Sequence, residues 1–415
     1  MFGNTDRLRP GTNQIGRRNN KQQMNPADLR KQMSQETSAP QIAIGPRVRK
    51  SPYFEATLDY GAKAFTIYNH MFMPTVYTDP VDEYWRLVQG VTLWDVACER
   101  QVEITGPDAR QFTQLLTPRN LSNCSVGQCR YVVLTAGDGG IINDAVLLHL
   151  AEDHFWLSPG DGDVLLWAQG VATNTGLNVT VAEPDVSPLQ LQGPKAPYVA
   201  KKLFGKKALD LGYYRMIETE LDGIPLVLSR TGWSGELGYE LFLRDGARGY
   251  ELWETVIQAG KEHDIVPIAP SGIRSIEGAI LAYCSDITGD DNPYVIGLDR
   301  LVDLEQEADF IGKAALKKIH AEGTKRRLVG FTVNDGGPSD ANAEFWPVMN
   351  GSANIGRVTR AAYSPRLDKY LGFVNVPTDK SAVGTELAIE TPDGRFDVTV
   401  AATPFVPAEK EIPPI

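Results

Sequence analysis

Two glycine-bounded words govern how this chain can fold: Gly139–Asp144, GGIIND, and Ser229–Glu240, SRTGWSGELGYE. Each sets one acidic side chain, Asp144 or Glu240, beside glycines and a strand-like apolar run. The two acids therefore ride on separate elements and can meet only in a shared polar cavity. Such a cavity suits a nitrogen-rich ligand, whose proton affinity the carboxylates would tune. Little else looks catalytic. The chain has no GxGxxG fingerprint, no phosphate-binding loop and no HExxH metal pair.

At 415 residues the chain exceeds one ordinary core, which points to two or three domains. Cys98, Cys124, Cys129 and Cys284 read as reduced, mostly buried thiols, because Cys124 and Cys129 lack a second close pair to complete a zinc site. No apolar run reaches the roughly 18 residues of a membrane span, and the N-terminus carries no hydrophobic signal core. The cytoplasm is the expected compartment. The formal charge of -11 hides an asymmetry, since residues 1–50 hold ten Lys or Arg against three acids. That stretch is rich in Asn, Gln, Ser and Pro and reads as a flexible basic tail. The acidic remainder argues against an extended nucleic-acid surface.

Periodicity divides the rest. Trp94–Ala109 alternates before a Gly-Pro turn, with a helix expected from Pro107 to Leu116. Cys129–Thr135 and Ile141–Leu150 read as strands joined by a glycine-rich hairpin, and His154–Pro159 as a third. Val164–Ala172 reads as helix. A related rhythm follows: a strand at Val186–Gly193, a helix at Pro194–Phe204 and two strands within Leu226–Phe242. Leu252–Gly260 reads as an amphipathic helix with Gly260 as its C-cap, and another helix is expected near Ser271–Ala282. Residues 65–79, mixing aromatic and β-branched side chains, are expected to enter a core. These patterns give an α+β class, with two intertwined lobes over residues 51–330. Past residue 330, RRLVGFTV, ANIGRVTRAAY, KYLGFVNV, ELAIE and FDVTV read as short strands of a small β-barrel or sandwich over 331–415.

An ordered set of words carries a resemblance. VTLWDVACERQVEITGPDA, LLTPRNLSNCSVGQCRYVVL, GGIINDAVLLHL, EPDVSPLQLQGPKA, SRTGWSGELGYELF, GIRSIEGAILAYCSDIT, NPYVIGLDRLV and DFIGKAAL occur in family order over most of residues 60–330. Together they resemble the folate-binding family of the glycine-cleavage T-protein, or aminomethyltransferase. Within it they resemble most the tetrahydrofolate-dependent dimethylsulfoniopropionate demethylase branch. The resemblance implies a three-domain, cloverleaf-like fold around a central folate channel, with tetrahydrofolate as cofactor.

It also implies roles. Asp144 would stand at the reactive face of the folate; the bland alternative is a hairpin aspartate on local amides. Glu240 would accept paired hydrogen bonds from the pterin edge; the alternative is a charged edge-strand residue. Tyr131, Trp233 and Arg274 are expected on the cofactor, and His70, Trp94 and Trp167 on the substrate. For the aromatics, including Trp156, core packing is the competing reading, and for Arg274 a structural ion pair. The T-protein word resembles IIDD, so Asn143 removes an acid and moves the chain toward the demethylase form. Glu236 is more T-protein-like, and His70 stands in YNHM where the demethylase word is closer to YNRM.

The implied reaction is methyl transfer from a small methylated donor to N5 of tetrahydrofolate. Dimethylsulfoniopropionate is the first donor to test. No metal, membrane or obligatory nucleic-acid partner is demanded, and the oligomeric state stays open. The alternatives are aminomethyl transfer in glycine cleavage, and a folate-binding or RNA-associated scaffold without turnover.

Overall fold

Strands whose side chains alternate between two buried faces build the frame of the site. The computed structural model describes residues 44–415. The basic tail expected over residues 1–50 lies, through residue 43, outside the described residues. A first, antiparallel sheet runs in the order Cys129–Thr135, Ile141–Ala151, His154–Pro159, Val102–Thr105, Thr180–Ala182. A second runs Met216–Leu221, Ile224–Ser229, Gly238–Leu243, Ser187–Gln192, Thr92–Asp95, Val266–Pro267, with only the last pair parallel. Thr92–Asp95 precedes every strand of the first sheet, yet it pairs inside the second, so the chain threads from one sheet to the other and back.

Each sheet covers its outer face with helices. On the first, Phe112, Leu116, Val164 and Ala168 pack against Val132, Leu134, Leu147 and Phe155. On the second, Val199, Trp253 and Val256 pack against Leu189, Leu191, Leu228 and Leu241. The inner faces meet each other: Cys129, Leu148 and Trp156 pack with Met216, Val227 and Phe242. Period two along each strand thus supplies an apolar set for both faces. Among the described residues, no helix is long and apolar enough to cross a membrane.

The C-terminal strands close into a six-stranded barrel, which decides between barrel and sandwich. Its strands run Arg326–Val333, Trp346–Asn350, Ala353–Ser364, Lys369–Pro377, Glu386–Thr391 and Gly394–Ala401. Five of these match the strand words read from the sequence. Trp346–Asn350 escaped notice because it is short and contains Pro347.

Three local expectations are corrected. Gly260 is not a left-handed cap, because the helix Gly249–Gly260 continues into a 3-10 turn that ends at Asp264, φ 57°. Glycine is needed there for space, since a Cβ would lie 2.6 Å from Ile265 Cγ2. The helix expected near Ser271–Ala282 covers only Gly272–Glu277, and a left-handed Ala279 follows it. Residues 65–79, expected to enter a core, do so only in part: residues 64–76 form a hairpin whose Met71 joins the core of the second lobe, with Tyr68 and Met73 packed against it, and Tyr77 beyond it is buried, while Ala64, Thr66 and Ile67 are exposed. The hairpin's first strand is half-buried at best, and Asn69 and His70 make the left-handed turn.

The barrel is tied to the lobes through a buried carboxylate. Asp286 accepts from Thr359 Oγ1 at 2.7 Å, Arg360 Nε at 2.6 Å and the Ala282 amide at 3.0 Å. Arg360 also donates to the Ile280 carbonyl and to Ser275 Oγ. This network fixes the segment Gly278–Tyr283 that follows the short helix. Arg360→Met would leave Asp286 buried without its cation. We expect a loss of about 3–5 kcal/mol of stability, read as a lower denaturation midpoint in urea. An unchanged midpoint would rule out Asp286–Arg360 as the clamp.

Candidate active site

Along the inner strands, apolar side chains give way to polar ones two residues on. Leu148 is followed on its face by Val146 and Asp144, Phe242 by Glu240, Val227 by Ser229, Trp156 by Ser158 and Cys129 by Tyr131. Where the polar ends face each other, the sheets part around a cavity of about 400 Å³. Gly278–Tyr283 and Ala408–Lys410 complete its wall.

Glu240 sits in a cross-strand row. Trp94 pairs with Gln190, Gln190 with Glu240, and Glu240 with Ser229, so four neighbouring strands present one face. Gln190 Nε2 donates to Glu240 Oε1 at 2.9 Å, and Thr231 Oγ1 donates to Oε2. The Trp233 amide donates in turn to Gln190 Oε1. Glu240 is 3% exposed. Burial pushes its carboxyl above the usual range, and the bonds from Thr231 and Gln190 pull it back.

Asp144 reaches the cavity from the opposite sheet. Tyr131 donates to its Oδ2 at 2.9 Å, while Oδ1 is buried and takes no hydrogen bond. Burial pushes this carboxyl up to about 6, against the lowering effect of Tyr131. Asn143 points the other way and is fully buried; its Nδ2 donates to the Asp161 carbonyl at 3.1 Å. An aspartate could not make that bond, so the residue that departs from the IIDD pattern holds the 160–162 turn in place.

The other expected residues divide. Tyr131, Trp94 and Trp233 line the cavity with Asp144 and Glu240. Trp233 Nε1 donates to the Leu281 carbonyl, and Trp94 Nε1 to Thr92 Oγ1. Arg274 does not line it. Its Nε donates to Glu236 Oε1 at 2.7 Å and its Nη2 to the Gly235 carbonyl, so it braces the SGE turn behind the cavity wall. His70 is exposed at the hairpin tip, 3.4 Å from Asp163, beside a separate depression of about 210 Å³. Trp167, on the helix Val164–Thr175, lines neither space. Trp156 is core, donating to Glu103.

Sequence reasoning passed over Glu99, Gln190 and Thr231, and the cations Arg230, Arg300 and Lys410, all of which line the cavity. Gln190 and Thr231 were findable from alternation alone, one as an inner-face residue of VSPLQLQG and the other beside the glycine turn. Glu99 follows its strand in an irregular stretch and carries no local sign.

Two profiles of known families fit this architecture: a GCVT N-terminal domain over residues 53–306, and a glycine cleavage T-protein C-terminal barrel domain over residues 326–407. The chain belongs to the glycine-cleavage T-protein, or aminomethyltransferase, family. Its chemistry is therefore folate-dependent one-carbon transfer. The chain is similar to the dimethylsulfoniopropionate demethylase of Ruegeria pomeroyi, 36% identical over 85% of this chain and 96% of the relative. It is also similar to the aminomethyltransferase of Halalkalibacterium halodurans, 30% identical over 86% of this chain and 98% of that one. The fold matches the glycine cleavage system aminomethyltransferase T of Bartonella henselae at TM-score 0.79 and 24% identity, over 88% of this chain and 99% of that structure.

The raised Asp144 carboxyl has a measurable consequence. Its folded pKa, about 6, lies above the ordinary aspartate value of 3.8, so folding favours the protonated form. The stability this contributes is full below about pH 4 and is lost as pH rises to about 6. Asp144→Asn should therefore gain on the wild type across that window, by on the order of 2–3 kcal/mol above it. Parallel unfolding curves from acid to neutral pH check this. A pH-independent difference between the two proteins would contradict it.

Proposed function

We propose that the cavity binds tetrahydrofolate and that the chain moves a one-carbon unit between it and a small donor. The observation that carries this reading is the pair of buried carboxylates, Glu240 and Asp144, held on facing sheets around one cavity. The residues fit such a ligand. Asp144 Oδ1 is a buried acceptor without a partner, and an unpaired buried acceptor costs stability that a ligand donor would recover. When bound, tetrahydrofolate supplies the amine that accepts the one-carbon unit.

Glu240 would accept two hydrogen bonds from the pterin amino group and ring N–H, with Gln190 and Thr231 keeping its carboxylate plane fixed. Tyr131 locks Asp144 through Oδ2 and leaves Oδ1 to hold or move a proton beside the reacting amine. Trp94 and Trp233 wall the cavity and exclude water. Arg230, Arg300 and Lys410 offer cations to the acidic end of the folate. The chain's main catalytic work is then proximity and orientation.

Two donor classes are supported by different observations. Aminomethyl transfer has the broader support from comparison, because both profiles carry the glycine-cleavage name and several relatives are named aminomethyltransferases. Methyl transfer from a small methylated compound, with dimethylsulfoniopropionate first, is supported by the Ruegeria pomeroyi relative and by Asn143. The product separates them. Methyl transfer yields 5-methyltetrahydrofolate without a lipoyl carrier; aminomethyl transfer yields 5,10-methylenetetrahydrofolate and ammonia. Mass identification of the folate product with each donor decides. Formation of the methylene product only, and only with the aminomethyl-lipoyl carrier, eliminates the methyl reading.

The folate reading has its own test. Glu240→Gln should weaken tetrahydrofolate binding by about 2 kcal/mol, since it removes a charge-assisted pair. Titration calorimetry on the folded variant measures this, and an unchanged affinity takes Glu240 off the pterin edge.

A further inference from the structure

A third acid, Glu99, lines the same cavity and has no part in the folate contacts above. Its Oε2 accepts from Ser158 Oγ at 3.1 Å. Among the described residues its Oε1 takes no hydrogen bond, and the side chain makes no ion pair. The neighbouring donors are committed elsewhere. Arg100 turns out of the cavity to Glu183, with Nε at 3.0 Å from the carboxylate. The Gln101 amide donates to the Glu99 main-chain carbonyl and to Ser158. Arg230, Arg300 and Lys410 share the cavity, yet none forms an ion pair with Glu99. The titratable groups that bear on Glu99 are Tyr68, Cys98, Asp144 and Glu240. None of these supplies a positive charge.

Glu99 is half-buried, and a carboxylate partly withdrawn from water without a cation favours either keeping a proton or meeting a charged ligand. The surroundings favour a ligand with a soft cationic head, because Tyr68, Trp94, Tyr131 and Tyr283 line the same space. We propose that Glu99 is the counter-charge for a small cationic one-carbon donor, receiving its sulfonium or ammonium head against the aromatic wall. This rests on the one-carbon transfer reading but deepens it, since it names a charge requirement common to both donor classes. In the free protein, burial and the nearby Glu240 hold the Glu99 carboxyl well above the usual range. Binding then exchanges one positive charge for another: the donor enters, the Glu99 proton leaves to solvent, and the carboxylate pairs with the onium. Affinity for a cationic donor should accordingly rise with pH.

The test uses the full chain without folate, so its outcome is independent of the folate reading. The probes are dimethylsulfoniopropionate, glycine betaine and the uncharged-head isostere 4-methylpentanoate. Calorimetry between about pH 6 and 8, in buffers of differing ionisation enthalpy, reads both affinity and proton release. We expect at least one onium to bind about 10-fold or more tighter than the isostere and to release protons. Glu99→Gln should lose that preference and the proton release, while keeping its affinity for 4-methylpentanoate; Glu99→Asp should restore part. The betaine and sulfonium arms tell the two heads apart. Equal onium affinity in wild type and Glu99→Gln overturns the proposal, as does a wild type that binds the isostere as tightly as the better-bound of the two oniums. Should Glu99→Gln fail to fold, the wild-type proton release and isostere comparison decide alone.

Discussion

Everything in the site depends on one layer of side chains between two facing sheets. At one end the layer is dry, with Leu148 and Trp156 against Val227 and Phe242. At the other end the same strands carry Asp144, Ser158 and Glu240 into the cavity, with Ser229 paired beside Glu240. The apolar end sets the spacing and twist of the sheets, and the polar end inherits that spacing as a cavity. A shift of one residue in any of these strands would turn its acid to the helix-covered face. The register of the hydrophobic pairs therefore positions the chemistry.

That arrangement loads the cavity with acids that burial disfavours. Asp144, Glu240 and Glu99 are all pushed above the ordinary carboxylate range, chiefly by desolvation. The protein tempers this with neutral donors, Tyr131, Gln190, Thr231 and Ser158, while the cations lie elsewhere along the wall. Neutral partners orient a carboxylate without using up its charge, which leaves the charge available to a ligand. Two ion pairs hold the cavity walls: Arg360–Asp286 stands outside the cavity, and Arg274 sits behind the wall that its partner Glu236 lines.

Much of this was legible in the linear chain. Period-two patterns located most strands, and the words around Asp144 and Glu240 located two acids that converge. Residues assigned by their chemical type fared differently. Arg274 has a partner three-dimensionally adjacent in Glu236, while His70 and Trp167 ride on elements whose docking no local pattern specifies. Glu99 was invisible because its position depends on where an irregular stretch ends up between two sheets. The short helix Gly272–Glu277 was overestimated because its buried charged residues, Arg274 and Glu277, answer to tertiary partners. In each case the missing information is long-range pairing, which periodicity does not encode.

The strand Thr92–Asp95 carries a consequence for synthesis. It leaves the ribosome before any strand of the first sheet, but its partners are Ser187–Gln192 and Val266–Pro267. Closing that pairing encloses the whole first sheet within the loop, an arrangement of high contact order. The first sheet can assemble from a contiguous stretch of nascent chain, whereas the second must wait for residues emerging much later. Until then Trp94, and with it one wall of the cavity, has no seat. The catalytic chamber is therefore a late event in the life of the polypeptide, and a prematurely terminated chain would display a folded half with an apolar inner face in need of a chaperone.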